Sequence, residues 1–134
     1  MGFDLEFQDF EGELEALPGR YAAPSGSLLL AFEGGRLAGC VALRSLDAEV
    51  CEMKRLYVRP ASRGRDIGRA LVQRIIDEGR QIGYKRMRLD AIRTMTAAVG
   101  LYKSMGFSEI APYRYNPLEG AVYMELSLES TRID

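Results

Sequence analysis

The strongest constraint on the fold is a change of hydrophobic period near residue 60, where a strand pattern gives way to a helix pattern. Residues 50–58 form an apolar segment with the length and composition of a strand. From Ile67 onward, apolar residues recur at helical spacing as far as Gly83, a residue type that commonly ends helices. Glycine and arginine dominate the turn between them. A strand, a tight turn and a long helix are therefore predicted in direct succession.

The rest of the chain shows the same two periods, two residues for strands and about 3.6 for helices. A Glu-Gly-Gly-Arg turn at residues 33–36 predicts a hairpin, and the first three strands are predicted to be antiparallel. In chain order we predict a helix at residues 7–17, strands at 27–32, 37–43 and 50–58, a helix at 67–82, a strand at 86–91, a helix capped by Thr94 and ended by Gly106, and strands near 107–111 and 122–128. This order favours an α+β fold, or α/β in three layers, in which helices pack on a mixed sheet.

Length, charge and hydropathy exclude several classes of protein. The 134 residues, 47% of them hydrophobic, are enough for one domain with one core, residues 1–134. With 18 basic and 19 acidic residues, the total charge does not indicate a nucleic-acid or membrane-surface protein. No apolar run approaches the roughly 20 residues of a membrane span, and the start does not resemble a signal peptide. We therefore expect a cytoplasmic protein.

The chain contains no histidine, which restricts its chemistry. Ser-His-Asp and Cys-His triads are excluded, as is most zinc catalysis, and we expect no metal. Cys40 and Cys51 lie in apolar strand-like segments, where packing is favoured over redox chemistry. Acid–base chemistry must then come from carboxyl, tyrosine, lysine or cysteine side chains, or from water.

Basic residues are concentrated around the turn, which is therefore suited to an anion. Six of them lie between Lys54 and Arg69, against one acidic residue, Asp66. The unpaired amides at a helix start, together with the positive end of the helix dipole, can hold phosphate groups. The Gly-Lys-Ser/Thr ending of nucleotide hydrolases is missing here. The alternative interpretation is a charged surface turn.

Three motifs in order resemble those of the GCN5-related N-acetyltransferase (GNAT) superfamily. Residues 63–68, Arg-Gly-Arg-Asp-Ile-Gly, resemble its Gln/Arg-x-x-Gly-x-Gly/Ala pyrophosphate loop. Residues 52–58 resemble its central strand, and residues 98–107 resemble its Ala-x-x-Leu-Tyr-x-x-x-Gly-Phe helix. The resemblance extends from about residue 27 to residue 128, and three motifs at compatible spacing make it specific.

The resemblance implies that acetyl-CoA is the co-substrate. Its pyrophosphate would lie on the amides of residues 63–69, and its pantetheine arm would pair with residues 56–58 like an added strand. The central strand and the strand at residues 86–91 would diverge to admit the arm, within a mainly antiparallel, splayed sheet that has helices on both faces. The implied cofactor-binding residues are Leu56, Tyr57, Val58, Arg63, Gly64, Arg65, Asp66, Ile67, Gly68, Arg69, Ala98 and Lys103.

Two residues are candidates for catalysis. By resemblance, Tyr102 is the tyrosine that faces the sulfur as general acid, although a core tyrosine is the alternative. Glu52 lies on the central strand near the family's usual general base, and a carboxylate paired with Lys54 or Arg88 is the alternative. The expected acceptor is a primary amine of a small molecule or peptide. The tyrosines that could line its pocket are Tyr57, Tyr113 and Tyr115.

Three departures from the family pattern carry their own predictions. Asp66 replaces the first glycine of the loop, and we expect its carboxylate to point outward and to weaken cofactor binding modestly. Met95 replaces an asparagine that helps to hold the cofactor arm in many relatives. Only about 26 residues precede the first hairpin, so the family's first strand is predicted to be missing. A bare sheet edge would result, and a homodimer could cover it.

Two other functions are compatible with the sequence. A non-catalytic acyl-CoA-binding regulatory module is favoured by Asp66 and by the short N-terminal region. Nucleic-acid binding by the arginine-rich segment is the other alternative. It is disfavoured because few aromatic residues lie near the arginines and because the net charge is −1. No nucleic-acid or membrane partner is therefore expected.

Overall fold

The computed structural model describes residues 5–9, 26–63, 66–116 and 119–129, with only the backbone described for residues 5–9. These residues form a seven-stranded sheet in the order β1-β2-β3-β4-β5-β7-β6. Within the described sheet, β4 and β5 run parallel, and every other neighbouring pair is antiparallel. The elements are β1 (Leu5–Asp9), β2 (Ser27–Glu33), β3 (Arg36–Ser45), β4 (Val50–Val58), α1 (Ile67–Ile82), β5 (Arg86–Ile92), α2 (Thr96–Ser104), β6 (Ser108–Ile110) and β7 (Ala121–Ser127).

The mixed, mainly antiparallel sheet predicted from the sequence is confirmed, but two predictions about its edge are wrong. The first strand is present, since β1 pairs antiparallel with β2 from Leu5 opposite Glu33 to Asp9 opposite Leu29. Leu5 and Phe7 alternate with polar residues, and pairing with β2 satisfies the backbone groups that a helix would have bonded internally. The helix predicted at residues 7–17 is thus wrong at residues 7–9, and residues 10–17 lie outside the described part. Because β1 occupies the edge of β2, the reason for predicting a homodimer is removed.

Helix α1 follows the predicted limits closely. It ends at Gly83, whose φ of 114° lies in the left-handed region that favours glycine. Its apolar stripe is buried in the core, and full burial of each Leu or Ile side chain contributes roughly 1.5–3 kcal/mol. The buried apolar residues of the stripe are Ile67, Leu71, Val72, Ile75 and Ile76. Helix α2 begins at Thr96 with Met95 as the N-cap residue, so the prediction of Thr94 as the cap is wrong by one position.

Both described helices pack into one hydrophobic core with one face of the sheet. The two helices approach each other at Gly68, where an added Cβ would lie 3.6 Å from Cδ2 of Leu101. Side chains alternate along a strand, so Cys51 and Met53 of β4 face this core while Glu52 faces the opposite side. The sheet therefore has one face covered by α1 and α2 and an opposite face, here called the far side.

Strands β4 and β5 diverge, as predicted. Among the described strand residues they pair over three positions, from Val50 opposite Arg86 to Glu52 opposite Arg88, although both strands continue. Beyond this point β4 carries a bulge at Arg55, whose φ is 61°. The neighbouring strand β3 approaches closely at Gly39, where a Cβ would lie 2.4 Å from the carbonyl oxygen of Tyr57. The absence of a side chain at Gly39 thus allows β4 to bend away from β5.

Candidate active site

The divergence of β4 and β5 leaves a cavity of about 230 Å³ that helix α2 covers on one side. Its wall combines apolar side chains with charged ones, which lie where the two strands separate. Lining residues are Met53, Lys54, Arg55 and Leu56 from β4, Leu89, Asp90 and Ala91 from β5, and Met95, Ala98 and Tyr102 from α2 and its N-cap. A cavity of this kind can hold a small reacting group between the two strands.

Tyr102 is the aromatic residue that α2 presents to this cavity. Its side chain is 7% exposed, and its ring packs edge-to-face on Phe107 with centroids 5.9 Å apart. Burial raises the pKa of Tyr102 to about 12. The phenol therefore stays protonated at physiological pH and can donate a hydrogen bond to a developing negative charge.

An ion pair spans the opening between the two strands. Nζ of Lys54 on β4 lies 3.5 Å from Oδ1 of Asp90 on β5. The other oxygen, Oδ2, accepts a hydrogen bond of 3.1 Å from Nδ2 of Asn116 and lies 3.9 Å from Nε of Arg114. Their pairing could not be predicted from the sequence, because strand divergence, a tertiary feature, brings Lys54 and Asp90 together.

Two further cavities extend the first one along α2 towards the start of α1. One of about 560 Å³ shares Leu56, Met95 and Ala98 with the first cavity. The next, of about 500 Å³, shares Val58, Arg63, Gly68, Ala97 and Leu101 with the second. Because neighbouring cavities have walls in common, they form one groove from Tyr102 to Asp66, here called the cofactor groove.

Most of the predicted cofactor-binding residues that the structure describes line this groove. Leu56, Tyr57, Val58 and Ala98 line its middle, and Arg63, Asp66, Ile67, Gly68 and Arg69 line its far end. Gly64 and Arg65 lie outside the described residues. Lys103 is absent from the described walls of the groove, and its Nζ lies 3.8 Å from Oε2 of Glu109.

The far end of the groove is built by the turn before α1. Asp66 is the N-cap residue with φ 63°, so an aspartate occupies the left-handed conformation where the resemblance places glycine. Its side chain is exposed. Helix α1 points the unbonded amides of its first turn towards this end, where they can bind phosphate. Across the groove, the guanidinium of Arg69 donates a hydrogen bond of 2.8 Å to Oγ of Ser104.

One wall of the groove was missed by the sequence analysis. Ala97, Gly100, Leu101 and Ser104 line the far cavity from one face of α2. Their spacing of three, four and seven residues from Ala97 is the spacing of neighbours on a helix face. This periodicity could have identified the four residues as one face of the helix. The small ones, Ala97, Gly100 and Ser104, leave room for a ligand beside it.

Glu52 lies on the far side of the sheet in a dense polar cluster. Its side chain is fully buried, and its Oε1 accepts a hydrogen bond of 2.7 Å from Nε of Arg44, the residue opposite it on β3. Its Oε2 accepts a hydrogen bond of 2.6 Å from Tyr113 and pairs with Arg114. The partners predicted as the alternative, Lys54 and Arg88, pair instead with Asp90 and Glu125.

The three tyrosines proposed for the acceptor pocket lie in different environments. Tyr113 is in the polar cluster, where burial raises its pKa above the ordinary value of 10.0. Tyr57 lines the cofactor groove and is 49% exposed, and Tyr115 is 84% exposed. The structure therefore brings Tyr113, but neither of the other two, into contact with Glu52.

Two features are absent from the residues that the structure describes. Within them, no helix is both long enough and apolar enough to cross a membrane. The same residues contain no group of three or more Cys, Asp or Glu side chains placed to hold a metal ion.

Known proteins resemble this chain in sequence and in fold. Residues 3–107 match the model of the acetyltransferase (GNAT) family. A protein of Schizosaccharomyces pombe named as an uncharacterised N-acetyltransferase is 45% identical over 129 residues, which cover 95% of this chain and 79% of the relative. A GNAT family acetyltransferase of Staphylococcus aureus is 18% identical with a TM-score of 0.79, covering 94% of this chain and 100% of its own.

A second similar protein was solved with acetyl-CoA bound. The GNAT family acetyltransferase of Elizabethkingia anophelis, solved with acetyl-CoA bound, is 19% identical with a TM-score of 0.71 and covers 92% of this chain and 97% of its own. At such identities the two solved structures show a shared fold, while the sequence matches show the family. The chain belongs to the acetyltransferase (GNAT) family.

Proposed function

We propose that this protein is an N-acetyltransferase that moves the acetyl group of acetyl-CoA directly to a primary amine of a small molecule or peptide. The observation that carries the proposal is the continuous groove from the start of α1 to Tyr102. The amides at the start of α1 would hold the pyrophosphate, and the unpaired edge of β4 at residues 56–58 would pair with the pantetheine arm. The thioester would then reach the cavity beside Tyr102.

The chemistry of acetyl transfer fits the groups around that cavity. The amine must be neutral to attack, so one proton leaves the ammonium form before reaction. The nitrogen then bonds to the carbonyl carbon, and the carbon–sulfur bond breaks. The second proton that leaves the nitrogen protonates the departing thiolate, which gives the thiol of CoA. The products are the acetamide, CoA and one proton released to solvent.

Tyr102 supports the departure of the thiolate by hydrogen bonding. With a pKa of about 12, its hydroxyl is a much weaker acid than an alkyl thiol near 8.5. Complete transfer of its proton to the thiolate is therefore unfavourable, whereas donation of a hydrogen bond to the developing charge is favourable. This role requires a phenol that faces the cavity and stays neutral.

Glu52 acts through the residues that it holds. Its contacts with Tyr113 and Arg114 tie the connection between β6 and β7 to the central strand, on the side of the sheet opposite the cofactor groove. This connection would border the acceptor. Direct proton transfer from the amine to Glu52 stays a prediction from the sequence.

The decisive experiment measures CoA release with a thiol reagent while acetyl-CoA is mixed with a panel of amines: amino acids, polyamines, peptides and simple alkylamines. Isothermal titration of acetyl-CoA into the protein is run in parallel. Amine-dependent CoA release supports the proposal. Tight acetyl-CoA binding without release to any amine would instead favour the acyl-CoA-binding module, and absence of binding would contradict both.

A further inference from the structure

An ion pair between Lys54 and Asp90 lies in the opening between β4 and β5. It is longer than the Arg44–Glu52 pair of the neighbouring polar cluster. Lys54 and Asp90 both line the cavity that contains Tyr102. They lie just beyond the last parallel pair, Glu52 opposite Arg88, where the two strands no longer bond to each other. The ammonium group of Lys54 thus lies where the groove passes between the strands.

This pair is loose compared with its neighbours. The distance of 3.5 Å between Nζ of Lys54 and Oδ1 of Asp90 exceeds the 2.7 Å between Arg44 and Glu52. Charge-assisted hydrogen bonds are usually about 2.7–2.9 Å long. The side chain of Lys54 is 28% exposed, so its ammonium can return to water. Exchange of Lys54 for another cation therefore breaks no short charge-assisted hydrogen bond.

Asp90 is better fixed than its lysine partner. Its side chain is 15% exposed, and Oδ2 is held by Asn116 and lies near Arg114. The other oxygen, Oδ1, lies on the Lys54 side, 3.5 Å from its Nζ. A fixed carboxylate oxygen with a displaceable cation is the arrangement expected of a cation-binding site.

We propose that Oδ1 of Asp90 binds the ammonium group of the acceptor, which displaces Lys54 and thereby enters the cavity beside Tyr102. Lys54 is then an internal competitor that holds the carboxylate until an acceptor arrives. The site selects small primary ammonium ions over neutral alcohols of the same shape. The inference rests on the proposed function for the fate of the amine, but the binding step can be measured without any transfer.

The test is an NMR titration of the CoA-saturated protein with n-butylammonium chloride, with n-butanol as the neutral probe. Wild type should show saturable shifts at the amides of Asp90, Lys54 and Tyr102 with n-butylammonium and none with n-butanol. Asp90→Asn should weaken n-butylammonium binding about tenfold or more, since one partner of a charge pair is removed. Lys54→Met should strengthen it, because the competitor is gone. Asp77→Asn, on the exposed face of α1, serves as the matched control and should leave it unchanged.

The double variant Lys54→Met/Asp90→Asn separates binding from a structural role. If Asp90 only balances Lys54 within the fold, the neutral pair should recover the wild-type affinity for n-butylammonium. If Asp90 binds the ammonium, the double variant should remain as weak as Asp90→Asn. Recovery in the double variant, equal binding by wild type and Asp90→Asn, or no saturable binding by wild type would overturn the proposal. Binding that depends on Asp90 without CoA release in the transfer assay would leave this site standing and reject the acetyl transfer.

Discussion

The hydroxyl of Tyr113 donates a hydrogen bond of 2.6 Å to Oε2 of Glu52, across 61 residues of sequence. Through this contact, the connection between β6 and β7 is attached to the central strand at the point where β4 and β5 begin to diverge. Arg44 and Arg114 complete the surroundings of the same carboxylate. The far side of the sheet is therefore organised around one buried negative charge.

We predict that Glu52→Gln destabilises the protein by about 3 kcal/mol. The change leaves two arginines without their buried counter-charge, and breaking such a pair costs about 3–5 kcal/mol. Urea unfolding measures the loss, and Glu125→Gln is the control, because Glu125 is 24% exposed and its loss should cost about 1 kcal/mol or less. Equal losses in the two variants would contradict the central role of Glu52. The acetyl-CoA dissociation constant should stay within about twofold, since the cofactor groove lies on the other side.

Asp66 gives a prediction for cofactor affinity. Asp66 lines the groove end that would hold the pyrophosphate, and like charges a few ångströms apart cost roughly 1 kcal/mol even in water. Asp66→Asn removes the charge and keeps a residue that tolerates φ 63°. We expect about fivefold tighter acetyl-CoA binding by titration calorimetry, and a similar gain for Asp66→Gly. An unchanged dissociation constant in both variants would show that the carboxylate points away from the phosphates.

A substitution at Gly100 should change stability and cofactor binding in opposite directions. A Cβ at this position meets no atom within 4 Å, and Ala is favoured over Gly in a helix interior by roughly 0.8–1 kcal/mol. Gly100→Ala should therefore raise the free energy of unfolding. The same methyl group would project into the cofactor groove, which Gly100 lines, and should weaken acetyl-CoA binding several-fold. A more stable variant with unaltered affinity would exclude this face of α2 from the cofactor site.

The buried thiol of Cys51 predicts a loss of stability at alkaline pH. Burial raises its pKa from 9.0 to about 12. Above pH 9 the unfolded chain releases this proton while the folded protein keeps it. The contribution of the protonated thiol to the free energy of unfolding is therefore complete below pH 9 and is lost as the pH rises towards 12. Between these two pKa values, the proton of this one thiol lowers the free energy of unfolding by about 1.4 kcal/mol per pH unit. Urea unfolding of Cys51→Ala between pH 8 and 11 should show a shallower decline than wild type, and identical slopes would contradict the shift.

The order of the elements from β2 onwards could be predicted from the sequence because each element depends on local patterns, whereas the groove was expected from the resemblance to the GNAT superfamily. The strand–turn–helix segment ending at Gly83 and the face of α2 with Tyr102 are encoded by periodicity and by turn residues. Strand β1 was missed because a short alternation at Leu5 and Phe7 competes with a helical reading of the residues that follow. The pairing of β1 with β2 decides between them, and pairing is a tertiary property.

The polar contacts of the site could not be predicted for a related reason. Lys54 and Asp90 meet across strands that diverge, and Arg114 reaches Glu52 from a distant connection. No spacing rule joins positions of this kind. The resemblance implied Lys103 as a cofactor-binding residue. Adjacent helix residues point about 100° apart, so Lys103 faces away from the direction of Tyr102, and its ammonium lies near Glu109.

The most direct test of the account is the rate of CoA release by Tyr102→Phe at saturating acetyl-CoA, with an amine that wild type acetylates. Because the hydroxyl supports the departing thiolate and does not hold the cofactor, kcat should fall by about 10²-fold or more, within the range typical of a lost hydrogen-bond donor to developing charge. The acetyl-CoA dissociation constant and the free energy of unfolding should change little. A variant with the kcat of wild type would contradict the placement of the thioester beside Tyr102.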